Sequence, residues 1–154
     1  MTTTTMPRTL QTGHVGLNVT DLDRSTAFYR EVFGLTVQAE SREDGRRFAF
    51  LTDGQRLVLT LWQQSAGSFA ADQPGLHHLS FQVDSLEEVR AYEARLRALG
   101  ARFLYESVVP HREGAASGGV FFTDPDGIRL EIYSPSGLAG HEAPVADAPS
   151  CGFF

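Results

Sequence analysis

The chain repeats itself, and no other feature limits its fold as strongly. The stretches "GHVGLNVTDLDRSTAFYREVFGL" (13–35) and "HHLSFQVDSLEEVRAYEARLRALGA" (77–101) share one plan. Each is a short apolar strand, then an Asp or Ser helix cap, then an amphipathic helix. Pairing His14 with His78 aligns Val15 with Leu79, Gly16 with Ser80, Leu17 with Phe81, Asn18 with Gln82 and Val19 with Val83, at an offset of 64 residues. Downstream, "TDGQRLVLTLW" (52–62) matches "PDGIRLEIYSP" (125–135) at an offset of 73. The second copy is therefore longer by about nine residues, which fall in "PHREGAASGG" (110–119).

Periodicity fills in each copy. A helix is expected over 22–33, with Leu22, Phe28 and Val32 at helical spacing and Gly34 as its stop. A second is expected over 85–99, with Ser85 and Glu88 as a capping box and Val89, Tyr92, Leu96 and Leu99 as its buried stripe. Three short strands follow each helix, at about 35–41, 46–53 and 56–63, then 102–108, 118–123 and 128–133. The turns Asp53-Gly54 and Asp126-Gly127 join the last two strands of each copy. The expected class is α+β: two βαβββ modules forming a curved mixed sheet around a metal-binding cleft, with helices outside. A half of about 65 residues is too small to bury its own sheet, so both halves (about 13–64 and about 76–134) belong to one domain over 13–135. Residues 1–12 read as a disordered or extended arm. Residues 136–154, rich in Pro, Ala, Gly and Ser, read as an irregular tail remote from any site. Its apolar "CGFF" is free to dock elsewhere.

Composition excludes several partners. A net charge of −6 and a pI near 5.3 argue against nucleic acid, which needs a basic stripe. No apolar run reaches the roughly 18 residues of a membrane span. The opening "MTTTTMPRTL" lacks the apolar core of a secretory signal. One cysteine, Cys151, excludes an internal disulfide framework and a cysteine-rich zinc site. The expectation is a cytoplasmic domain.

Strand alternation then selects candidate chemistry. Val15, Leu17 and Val19 should face helix one, leaving His14, Gly16 and Asn18 on the other face. In the second copy His78, Ser80 and Gln82 share that face, and His77 points away. In the fourth strands Leu57, Leu59 and Leu61 pack under the helices and leave Arg56, Val58, Thr60 and Trp62 opposite. Leu130 and Ile132 likewise leave Arg129, Glu131 and Tyr133. His14, His78 and Glu131 thus form a candidate two-His-one-carboxylate metal set, with positions left open for substrate, water or dioxygen. Such donors suit Fe(II), Mn, Zn, Ni or Co, and the sequence does not choose among them.

The motifs "GHVGLNVTDLDRSTAFYREVFGL", "HHLSFQVDS" and "GGVFFTDPDGIRLEIYSP", over about 13–135, are similar to the vicinal oxygen chelate superfamily of glyoxalases, bleomycin- and fosfomycin-resistance proteins and extradiol dioxygenases. The resemblance implies paired βαβββ modules, commonly a homodimer, and metal ligands at His14, His78 and Glu131. Departures sort the subfamilies. Glyoxalase-like lyases place a fourth ligand where this chain has Val58. Fosfomycin transferases carry a polar cation-binding loop where it has "HREGAASGG". Extradiol enzymes add a histidine near His111 and a tyrosine where it has Phe121. The expected function is a divalent-metal-dependent, dioxygenase-like enzyme acting on a small substrate that chelates the metal through adjacent oxygens. His111 would be its acid–base catalyst, and Phe48, Val58, Thr60, Trp62, Phe121 and Tyr133 would line the pocket. The alternatives are a non-catalytic antibiotic- or metabolite-binding resistance protein, and a glyoxalase-like lyase or thiol transferase. If only the fourth ligand is missing, Val58→Glu tightens metal binding, read by metal titration, and leaves the fold intact. Unchanged or weaker affinity would put Val58 on the wrong face.

Overall fold

The computed structural model describes residues 9–154. The chain divides into two units, one ending at Ser65 and one spanning Ala66–Phe154, so the division falls between the two copies of the repeat. Most of the expected N-terminal arm lies outside the described residues, and 9–12 carry no regular element. Among the described residues no helix is long and apolar enough to cross a membrane.

The first unit runs β1 (Val15–Val19), α1 (Leu22–Phe33), β2 (Thr36–Ser41), β3 (Phe48–Thr52) and β4 (Leu57–Gln63). Asp21 starts α1: its backbone is extended and its carboxylate accepts the Arg24 N–H at 3.0 Å. A cap of this kind contributes about 1 kcal/mol. The helix stops where Gly34 turns left-handed at φ 68°, its N–H bonded to the Arg30 carbonyl at 2.9 Å. Leu22, Ser25, Thr26, Tyr29 and Val32 are buried. The expected stripe named Phe28, yet Phe28 is only half-buried and Tyr29 is fully enclosed. At about 100° per residue, position 29 returns to the face of Leu22 while position 28 falls short of it, onto the flank.

The strand order is β1-β4-β3-β2, with β1 and β4 parallel and the other pairs antiparallel. Leu17, Val19, Ala49, Leu51, Leu59 and Leu61 are buried, as α1 packs on β3 and β4. The ladder slips once, because Leu51 pairs with Leu59 but Thr52 pairs with Leu57. Val58 is the extra residue at that irregularity. Leu57, expected to be packed, is therefore half-buried like Val58.

The second unit runs β5 (Leu79–Gln82), α2 (Leu86–Ala98), β6 (Arg102–Phe103), β7 (Val109–Pro110), β8 (Gly118–Thr123) and β9 (Arg129–Ser134). Its sheet is ordered β5-β9-β8-β6, with β5 parallel to β9 and β7 also pairing β8. The Ser85–Glu88 capping box is present. Val89 and Leu96 are buried on α2, but Leu99 is 43% exposed. The helix ends at Ala98, so Leu99 is its C-cap and leaves the buried stripe. The expected strand 102–108 is split into β6 and β7. Between them Ser107 Oγ donates to Glu93 on α2 at 3.1 Å and Arg97 reaches the Glu106 carbonyl, drawing the chain off the ladder.

Every residue of β8 is buried. Gly118 and Gly119 have no room for a side chain: a Cβ on Gly118 would overlap the Val109 carbonyl, and one on Gly119 the Ile132 carbonyl. Both obstacles are backbone and cannot rotate away. Gly119→Ala should therefore destabilise the protein by about 3 kcal/mol or more, read as a lowered unfolding midpoint. Gly13→Ala, where nothing lies within 4 Å of the added carbon, serves as the control.

Candidate active site

Glu131 sits mid-strand in β9, opposite Phe121 of β8 and Ser80 of β5. Period-two alternation sends Leu130 and Ile132 into the core, and Glu131 must lie on the opposite face. Glu131 is nonetheless only 2% exposed, although Ser80 and Gln82 on the same face are exposed. A buried carboxylate needs donors or a cation. It finds two imidazoles. His111 Nε2 bonds Oε1, and His78 Nε2 lies 3.6 Å from Oε2.

His111 follows β7 directly. Its N–H donates to the Ser117 carbonyl at 2.9 Å, and its Nδ1 lies 2.9 Å from Ser117 Oγ. The ring centroid is 5.0 Å from that of Tyr133, whose hydroxyl donates to Gln82 Oε1 at 2.8 Å. Both nitrogens of His111 are thus occupied, one by a carboxylate and one by a hydroxyl.

His78 precedes β5, and so does His77. Their Nδ1 atoms are 2.9 Å apart and their ring centroids 5.1 Å apart. The expectation that His77 points away is corrected. The strand begins only at Leu79, so alternation does not extend back to the doublet. Arg129, which can only donate, lies 3.4 Å from His77 Nε2. A neutral His77 then carries its proton on Nδ1 and donates to His78 Nδ1. This leaves the neutral His78 proton on Nε2, facing Glu131. Burial holds the His78 pKa below its ordinary value, with Glu131 opposing and His77, Arg129 and His111 reinforcing the shift.

His14 lies in the first unit, exposed, just before β1. Among the described residues no group of three or more His, Cys, Asp or Glu side chains is arranged to hold a metal ion. His78 and His111 instead both close on the Glu131 carboxylate. The chemistry of His78 and Glu131, an imidazole whose burial favours the neutral form beside a buried carboxylate, fits a borderline divalent metal. Of the expected pocket residues, Phe121 and Tyr133 flank this cluster. Phe48, Thr60 and Trp62 share one face of the first sheet. There Trp62 Nε1–H donates to Thr60 Oγ1 at 2.9 Å, and Phe48 and Trp62 rings lie 5.5 Å apart. Phe50 belongs with them and was passed over, although its alternation with Phe48 marks it. Ser117, Tyr105 and Phe154 carried no periodic signal. The tail is not remote, because Phe154 packs 5.7 Å from Phe121.

The two copies of the repeat, each a strand and helix followed by the rest of a mixed sheet, with His14 and His78 at matching places and a buried His–carboxylate cluster in the second, define a duplicated α+β fold. The chain belongs to the Glyoxalase/Bleomycin resistance protein/Dioxygenase superfamily, whose family model matches residues 11–132. It is 32% identical over 138 residues to a Bacillus subtilis (strain 168) protein named "Probable trivalent organoarsenical cleaving enzyme", covering 90% of this chain and 88% of that one. It is 27% identical over 124 residues to the Catechol-2,3-dioxygenase of the same organism, covering 79% of this chain but 40% of that one. In fold it is similar to a variant of the fosfomycin resistance protein FosX from Listeria monocytogenes, solved with Mn(II) and 1S,2S-dihydroxypropylphosphonic acid. That match has a TM-score of 0.64 and 23% identity, covering 85% of this chain and 95% of that one.

The depressed His78 pKa has a measurable sign. The unfolded chain takes up the proton first, near 6.5, so the stability this group contributes is present above that pH and falls as pH drops below it. In metal-free protein, NMR titration of the His78 ring should give a midpoint under 6.5. A midpoint above it would mean that Glu131, rather than burial, dominates.

Proposed function

We propose that the protein is a divalent-metal-dependent, dioxygenase-like enzyme acting on a small aromatic substrate that presents adjacent oxygens. The observation that carries this reading is the buried Glu131 carboxylate, paired with two imidazoles. His78 and Glu131 hold the metal, and His14 is the third donor that the repeat assigns. Fe(II) is the favoured ion, with Mn, Zn, Ni and Co as the other candidates. When bound, the metal supplies Lewis-acid activation of a substrate hydroxyl and access to dioxygen chemistry.

The remaining work falls to the chain. His111 moves a proton at Nε2, with Ser117 Oγ on Nδ1 steadying the ring. Phe121 and Tyr133 flank that imidazole and limit water around it. Phe48, Thr60 and Trp62 supply the apolar lining assigned to the first module. We take the enzyme to work in the cytoplasm as a homodimer. A second reading, cleavage of a trivalent organoarsenical, is favoured by the Bacillus subtilis relative that spans nearly all of both chains. Sequestration without turnover is the remaining alternative.

Elemental analysis of protein purified without a metal-affinity tag should show stoichiometric metal, lost in His78→Ala. After anaerobic Fe(II) loading, oxygen uptake is measured with catechol and with phenylarsenite. His111→Ala should keep the metal and lose about 10²–10⁴-fold in turnover. Protein that takes up no metal under anaerobic loading refutes the enzyme reading. Consumption of phenylarsenite alone selects the second.

A further inference from the structure

We infer that the segment Ser150–Phe154 is a strap that occupies an aromatic-ring subsite beside Glu131, and that an electron-rich aromatic ligand must displace Phe154 to bind. The inference rests on the proposed function for the identity of the site.

The strap has one firm end and one releasable end. Ser150 is fully buried. Its N–H donates to the His111 carbonyl at 2.7 Å and its Oγ to the Pro110 carbonyl at 2.7 Å. The chain is therefore pinned to the residue whose imidazole holds Glu131. Beyond it, the Tyr105 hydroxyl lies 2.8 Å from the carbonyls of both Ser150 and Phe153, and one proton serves the two. Burial raises the Cys151 thiol pKa and the Glu131 charge raises it further, so Cys151 lies within reach of that carboxylate's field. Phe153 is 62% exposed.

Phe154 is held by three rings and a cation. Its centroid lies 5.7 Å from Phe121, 5.9 Å from Tyr105 and 6.0 Å from His77, and the Arg129 guanidinium lies 4.9 Å from its centre. Three aromatic walls and a cation over the face make a receptor for a flat, electron-rich six-membered ring. Phe121 is the cross-strand partner of Glu131, which places this receptor next to the His–Glu cluster. Each ring contact is individually weak. A ligand ring reproduces all of them, and its hydroxyl oxygens strengthen the cation–π contact that unsubstituted Phe154 makes.

The test uses metal-free full-length protein and 4-fluorophenol, a single-hydroxyl probe that cannot chelate, followed by fluorine NMR. Removing a self-occupying group raises apparent affinity by the reciprocal of the open fraction, so Phe154→Ala should bind about tenfold tighter than wild type. Arg129→Leu added to Phe154→Ala should abolish that gain. Equal or weaker binding by Phe154→Ala overturns the inference. Hydrogen exchange on the wild-type chain gives an independent reading. Saturating 4-fluorophenol should accelerate the amides of Gly152, Phe153 and Phe154 while leaving Ser150, bonded to His111, protected. Unchanged or slower exchange at Phe153 and Phe154 overturns the inference. Neither readout requires metal, so the strap is tested separately from the metal content on which the proposed function stands.

Discussion

The burial of Glu131 is the constraint on which the second unit turns. A carboxylate removed from water loses several kcal/mol of solvation unless a cation or donors replace the water. The sheet cannot supply them, because β9 is an interior strand and its neighbours β5 and β8 put Ser80 and Phe121 opposite this position. The donors must come from chain that enters the face from outside the ladder. His78 arrives from the turn before β5, and His111 from the end of β7. Gly118 of β8 lets β7 approach closely enough to deliver it.

That arrangement explains the asymmetry of the duplication. The two copies share strand, helix and hairpin, and in each the first and last strands of the repeat pair in parallel. The chemistry does not repeat. In the first copy the place of Glu131 is taken by Val58, where the β3–β4 ladder slips. The nine or so additional residues of the second copy hold His111 and Ser117, and the short β7 that leads into them has no counterpart in the first. Duplication supplied the frames, and the longer second copy supplied the group that satisfies the buried charge.

Local pattern made much of this legible. Helix α1 is bounded by Asp21 and Gly34, residues whose chemistry acts within four positions, and it was expected at the limits it has. Glu131, Tyr133, Ser80 and Gln82 were placed on one face by a period of two that holds because β5 and β9 are regular. Alternation holds only where the strand is regular. His77 was assigned the wrong way because the doublet precedes the strand. Leu57 was expected in the core because a ladder irregularity depends on the partner strand, which alternation within one strand cannot register. The strand expected at 102–108 divides because Glu93 and Arg97 of α2 bind the chain between its halves. Ser117, Tyr105 and Phe154 meet the site only through tertiary contacts.

The strap and the cluster are mechanically one object. Ser150 bonds the backbone of His111, and His111 bonds the carboxylate, so a pull on residues 151–154 is transmitted two bonds from Glu131. The carboxylate also has a limited number of oxygens to share. His111 now holds Oε1, and any metal that Glu131 binds competes with that imidazole for the same charge. Ser117 on Nδ1 keeps the ring anchored when Nε2 is released. On the proposed reading, His111, anchored at Nδ1 by Ser117, carries a proton at Nε2 to and from substrate rather than serving as a fixed ligand. This distinguishes His111, on chemical grounds, from His78, whose burial favours the neutral form that a metal requires.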